Sequence, residues 1–235
     1  VLGLVASIAM VLSLFVLPVS VNAANENVAK IGDTEYATLS DALNKANVND
    51  VITLINDTSA GALIIDGTQK ITLDLNGREL SLQTKSIEIG DSASLTLIDS
   101  QGSGSIDGDW PIFVRNDATF TMNSGTINAK WYGVTGNGSS NLQGKTGTTI
   151  NINGGVINQN DPDDPHTAAI YHPQKGVLNI NGGKITGSVG IQLCSGKLNV
   201  NSGIITGTDI DTFGSKNESD GGVGDGAGIS VLNRN

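Results

Sequence analysis

Both tryptophans of the chain, one tyrosine and five carboxylates fall in three short segments: Asp107-Gly108-Asp109-Trp110-Pro111, Lys130-Trp131-Tyr132, and Gln159 to His166 with Asp161, Asp163 and Asp164. Aromatic faces stack on sugar rings and carboxylates accept hydroxyl protons. The combination therefore has the make-up of a carbohydrate platform, an apolar floor with a few polar groups that fix orientation. Phe113, Tyr171 and Gln192 hold matching places in Pro111-Ile112-Phe113-Val114, Ala169-Ile170-Tyr171-His172 and Gly190-Ile191-Gln192-Leu193. Alternation predicts that these three point outward when the flanking isoleucines point inward, which extends the platform. The ligand-binding set read from the sequence is Asp107, Asp109, Trp110, Phe113, Trp131, Tyr132, Asp161, Asp163, Asp164, His166 and Tyr171. The plainer reading is that these segments are solvated insertions in which Trp110 or Trp131 covers a corner of the core.

Other chemistries are less well supplied. Asp161, Asp163 and Asp164 offer oxygen ligands for calcium, but their spacing is not that of an EF-hand and the intervening prolines restrict it. No other cofactor is implied. Paired carboxylates at a suitable separation do acid and base work, which leaves a hydrolase or lyase as an alternative. The run from Gly221 to Gly226 is too loose for a calcium-binding nonapeptide and lacks the context of a phosphate loop. Cys194 is the single cysteine, so it forms no internal disulfide. No histidine or basic residue flanks it, and it reads as a packed residue rather than a nucleophile.

Positioning these residues is the work of a repeated phrase. It occurs as Asn123-Ser124-Gly125-Thr126-Ile127, Asn153-Gly154-Gly155-Val156-Ile157, Asn181-Gly182-Gly183-Lys184-Ile185 and Asn201-Ser202-Gly203-Ile204-Ile205. Each copy follows an alternating apolar run such as Ile150-Asn151-Ile152, so the unit reads as strand, tight turn, strand. The closing isoleucines are spaced by 30, 28 and 20 residues, and an earlier variant closes on Ile106. Coils of about 20 residues without helices, rich in β-branched residues, Asn and Gly, predict a single-stranded parallel β-helix. Stacked coils align like residues, so Asn123, Asn153, Asn181 and Asn201, with Asn76, are expected to form an internal amide ladder that satisfies turn backbone groups.

The phrase also serves as a ruler. From each closing Ile to the next apolar strand the chain takes 6, 7, 13, 6 and 24 residues, counted to Ile112, Val134, Ile170, Ile191 and Ile229. Growth at one corner of every coil gathers loops on one face, often a binding face.

The remaining organisation follows from composition. Residues 1–23 are apolar or small up to Val21-Asn22-Ala23 and read as a signal peptide cleaved after Ala23, with no membrane insertion afterwards. Residues 24–50 hold a hairpin around Gly32-Asp33 and a helix with Ser40 as N-cap and an apolar stripe of Leu39, Ala42, Leu43 and Ala46. This helix is expected to plug the first coil. Residues 51–235 form the coils, and the last apolar run, Ile229 to Leu232, begins a coil that a longer parent protein is expected to complete. With 31 Gly and 4% aromatic residues, a narrow stacked core suits the chain better than a wide globular one. A net charge of −10 argues against binding nucleic acid or an anionic membrane.

The stretch from Ile31-Gly32-Asp33-Thr34-Glu35-Tyr36 through Ile71-Thr72-Leu73-Asp74-Leu75-Asn76-Gly77 to the Asn-Gly-Gly coils resembles the pectate-lyase-like right-handed β-helix superfamily. Within it the chain is most similar to adhesin-like secreted and surface proteins of gut bacteria. The resemblance implies a right-handed helix in an extracellular protein, and it leaves activity open, since the superfamily includes lyases, hydrolases and adhesins. Lyases of this kind hold calcium with acidic residues beside a basic residue that takes the proton. Arg78, Arg115 and Arg234 lie in no such acidic cluster. The hydrolase signatures are reduced here to Asp163-Asp164, and His166 and His172 lack flanking glycines. The expectation is a non-catalytic, secreted or surface protein that binds polysaccharide or a host or cell-surface glycan at its loop-bearing corner. An enzyme of the same fold and a purely structural spacer are the alternatives.

Overall fold

The computed structural model describes residues 26–136, 147–161, 167–208 and 226–232. The segment read as a signal peptide lies outside them.

The chain opens on a hairpin, β1 (Ala29–Ile31) and β2 (Thr34–Tyr36), turned by Gly32 at φ +57°. The helix α1 (Leu39–Lys45) follows and buries Leu39, Ala42 and Leu43. Its N-cap is Thr38 rather than Ser40. Thr38 has extended backbone (φ −135°, ψ 151°), and its hydroxyl accepts from the Asp41 N–H at 3.0 Å. A cap must precede the first helical residue and reach two or three positions forward, and with Leu39 already helical only Thr38 does so.

Strands then come in threes. The first circuit is β3 (Val51–Leu54), β4 (Thr58–Ser59) and β5 (Leu63–Ile65), and the second is β6 (Lys70–Asp74), β7 (Glu79–Gln83) and β8 (Ile87–Ile89). The third is β9 (Ser94–Ile98), β10 (Ser105–Gly108) and β11 (Ile112–Val114). The fourth is β12 (Thr119–Met122), β13 (Thr126–Ala129) and β14 (Tyr132–Gly136). The fifth is β15 (Thr148–Ile152), β16 (Val156–Gln159) and β17 (Ala168–His172). The sixth is β18 (Gly176–Ile180), β19 (Lys184–Gly187) and β20 (Val189–Leu193), and the seventh is β21 (Lys197–Val200), β22 (Ile204–Gly207) and β23 (Ile229–Val231). Each strand pairs in parallel with the strands three before and three after it, which gives three sheets. The described residues are thus all-β apart from α1, an arrangement compatible with a parallel β-helix. At the start of the first sheet β1 pairs antiparallel with β3, so the hairpin extends that sheet as β2-β1-β3.

The registers explain the core. Leu80, Ile106, Ile127, Ile157 and Ile185 sit in one row of the second sheet and are fully buried. Leu73, Leu97, Met122, Ile152 and Ile180 form a matching row in the first sheet. Like sits on like because adjacent parallel strands are about 4.8 Å apart and present the same face.

The Asn-Gly turns differ from expectation in two respects. Asn153 donates through Nδ2 to Asn123 Oδ1 at 2.9 Å, Asn181 to Asn153 at 2.9 Å and Asn201 to Asn181 at 2.7 Å. This ladder is exposed rather than internal, and its amides bond one another instead of turn backbone groups. Asn76 stands outside it. Asn76 adopts φ +50°, donates to the Leu54 carbonyl at 2.9 Å and accepts from the Ser100 hydroxyl at 3.3 Å. The register accounts for this, because Asp74 pairs with Ile98, which places Asn76 beyond the row that Asn123 begins. The left-handed residue of each repeated turn is the third, with Gly125, Gly155, Gly183 and Gly203 at φ +90°, +82°, +83° and +113°. A Cβ on Gly155 would stand 2.7 Å from the Gly125 carbonyl oxygen, so the close stacking of turns itself requires glycine there.

One buried group is unusual. His172 is fully buried and sits opposite Leu193, and neither ring nitrogen has a hydrogen-bond partner. Burial pushes its pKa below the ordinary 6.5. The backbone carbonyls of His172 and Ser195 favour the cation in part, but neither holds the ring in hydrogen-bonding geometry, and desolvation prevails.

Candidate functional site

The corner between the second and third sheets is set by backbone hydrogen bonds from one circuit to the next. Lys130 N–H donates to the Gly108 carbonyl at 3.0 Å, and Trp131 and Tyr132 N–H donate to the Asp109 carbonyl at 2.8 Å and 3.2 Å. This lays the fourth turn on the third and brings Trp131 against Trp110, with ring centroids 4.7 Å apart and planes inclined at 62°. The next circuit adds a second pair. Tyr132 opens β14 and Tyr171 lies in its neighbour β17, and their rings are 5.2 Å apart, tilted by 31°. All four residues are half-buried.

The insertion between β16 and β17 is tied down at its base. Gln159 is buried; its Nε2 donates to the Lys130 carbonyl at 3.0 Å and to the Thr167 hydroxyl, and its Oε1 accepts from Ser188 N–H at 2.7 Å. Asn160 N–H donates to the Ala129 carbonyl at 3.0 Å, which carries the ladder one residue beyond β16. Asp161 then turns its carboxylate into the corner, with a side chain only 1% exposed and 4.0 Å from the Lys130 ammonium.

The other expected site residues are placed differently. Asp107 belongs to a row on the second sheet, where it accepts from Asn128 Nδ2 at 2.9 Å and from the Ser105 hydroxyl, while Asn158 donates to Asn128 at 3.1 Å. Asp109 is half-buried beside the tryptophans, and its backbone sets the turn. Phe113 lies in the same third-sheet row as Glu88 and Thr135, under the Arg115 guanidinium at 5.0 Å. Gln192 pairs with Tyr171 as the alternation predicted, but it is 2% exposed and adds nothing to the surface. Asp163, Asp164 and His166 lie outside the described residues, as do Asp209, Asp211, Asp220 and Asp225.

Three charged residues were missed by sequence reasoning. The Lys130–Asp161 pair joins equivalent corners of consecutive circuits, and the signal was available, since both residues fall just after a phrase-closing isoleucine. Arg115 bonds Glu88 at 2.7 Å at the next corner. There a shallow polar groove is lined by Ile64, Asp66, Glu88, Asp91, Arg115 and Asn116. Among the described residues no group of three or more His, Cys, Asp or Glu side chains gathers as a metal site.

The arrangement offers two ring pairs on successive circuits, with the half-buried Asp109 beside the tryptophans. Such a surface stacks on flat, weakly hydrated faces and accepts hydroxyl protons at its margin. His172 and Cys194 are both buried away from it. No family model, no curated protein and no solved structure matches the chain.

Proposed function

We propose that this chain is a right-handed parallel β-helix of the pectate-lyase-like kind, exported to the cell surface or beyond, which binds glycan through the aromatic corner and does no chemistry on it. The handedness rests on a general rule, that a strand, a crossover and a parallel strand in one sheet wind to the right in nearly all proteins. The observation that carries the binding reading is the pairing of Trp110 with Trp131 and of Tyr132 with Tyr171 on three consecutive circuits at one corner. Aromatic residues are scarce in this chain, at 4%, and a narrow aliphatic core has no need of them there. Export follows from residues 1–23 as the sequence reads them.

The test is a glycan array probed with the chain and with a Trp110→Ala, Trp131→Ala double variant whose fold is checked by circular dichroism. Binding by the chain and its loss in the variant are expected. Binding that survives the double substitution would place recognition elsewhere. Release of reducing or unsaturated sugar by the purified chain would overturn the non-catalytic part.

A further inference from the structure

We propose that the groove at Arg115 is a second subsite of the aromatic corner, so that the ligand is an extended chain of sugars laid across the third sheet rather than a single terminal sugar. This rests on the glycan-binding reading above. The third circuit joins the two places. Trp110 and Arg115 are the ends of Trp110-Pro111-Ile112-Phe113-Val114-Arg115, a span of roughly 15 Å at the rise of an extended chain. Ile112 and Val114 are fully buried, so Phe113 between them on β11 faces outward. The Arg115 guanidinium lies 5.0 Å from the centroid of the Phe113 ring and 2.7 Å from the Glu88 carboxylate, which ties the middle of the path to the groove.

Exposure along the outward row of the third sheet sets the direction of the path. The register places Ile64, Glu88, Phe113 and Thr135 in that row. Ile64 is 61% exposed and Glu88 and Phe113 are half-buried, whereas Thr135 is 5% exposed and Gln192, further along the same face, is 2% exposed. The outer face is thus open on the first three circuits and closed at the fourth. A sugar chain leaving the tryptophans across the sheet meets open surface at Phe113 and then the groove. There Ile64 supplies an apolar floor, and Asp66, Glu88 and Asp91 supply acceptors for hydroxyl protons. Arg115 supplies donors, since a guanidinium carries five N–H groups and this side chain is 44% exposed beside Glu88. The ion pair orients donors and acceptors before a ligand arrives, so less side-chain freedom is lost on binding. Two subsites on one ligand reinforce each other, because engagement of the first holds the chain near the second.

The experiment measures, by calorimetry on the intact chain, the binding of malto-, cello-, xylo- and galacturono-oligosaccharides from disaccharide to hexasaccharide. In a series that binds, the hexasaccharide is expected to bind at least tenfold more tightly than the disaccharide. Arg115→Ala is expected to cut that ratio to threefold or less, whereas Trp131→Ala weakens both lengths. Ile64→Ser, at an exposed position outside the core, is expected to lower the ratio as well and serves where Arg115→Ala fails to fold. A hexasaccharide bound no more tightly than the disaccharide, or a ratio that neither variant changes, would overturn the inference and leave the glycan reading standing. Failure of every series to bind would remove the glycan reading itself and this inference with it.

Discussion

Protonation of the unfolded chain at His172 should make the protein lose stability between pH 6.5 and 5 more steeply than its carboxylates alone would cause. In the folded chain the ring is fully buried with both nitrogens unpartnered, and burial holds its pKa below 6.5. Above pH 6.5 the ring is neutral in both states and contributes no pH dependence. Below it, the unfolded chain takes up a proton that the folded chain refuses. The folded state therefore loses about 1.4 kcal/mol per pH unit until the folded pKa is reached. From pH 6.5 to 5 this sets a ceiling of about 2 kcal/mol, a large part of the margin of most domains. The assay is urea unfolding at half-unit steps from pH 8 to 5, in a background carrying His166→Gln so that one histidine titrates. His172→Leu, an apolar residue for an apolar cavity, should flatten the profile and leave only the shared carboxylate slope. Parallel profiles for the two proteins would refute the reasoning, because they would mean that the folded state protonates His172 as readily as water does.

Two further perturbations address the stack itself. Gly155→Ala forces a Cβ against the Gly125 carbonyl oxygen and the Met122 methyl at φ +82°, and should destabilise by about 1–3 kcal/mol in urea or thermal unfolding. Gly32→Ala, at φ +57° in open space, should cost less, and equal costs would show that backbone strain alone matters. Asn181→Ala removes both its bond to Asn153 and the bond it accepts from Asn201, and at an exposed site should cost about 1 kcal/mol by the same measurement. No loss would make the ladder a by-product of register.

The rows of the fold were legible because the repeat aligns them. Ile106, Ile127, Ile157 and Ile185, read as phrase endings, are the residues that stack. Strands without that signal were harder to see. Thr58–Ser59 has no apolar alternation at all, and Glu79–Gln83 shows only Leu80 and Leu82. The excess length of the fourth circuit lies between β14 and β15, residues 137–147, and the count of seven residues from Ile127 to Val134 already kept it away from the corner carrying Trp131. The burial of His172 was implicit in its parity with Ile170, yet a histidine at the end of an apolar strand does not announce whether it packs or protrudes. The ring pairs could be placed at one corner from sequence. Their contacts depend on backbone bonds at Asp109 that no residue type encodes.

The antiparallel hairpin at the start of the first sheet has a consequence for the molecule among copies of itself. A parallel stack is a template, and an open edge invites another chain to lay its own strands in register and so begin a fibre. Here the first sheet ends in β2, a strand of only three residues that carries Glu35 and is separated from the parallel stack by the reversed β1, while the second sheet starts with the two-residue β4. A newcomer offering the repeated circuit meets a short, charged strand on one edge and almost nothing to grip on the next. The leading end of the stack is thereby guarded against polymerisation by a segment that shares none of the repeat.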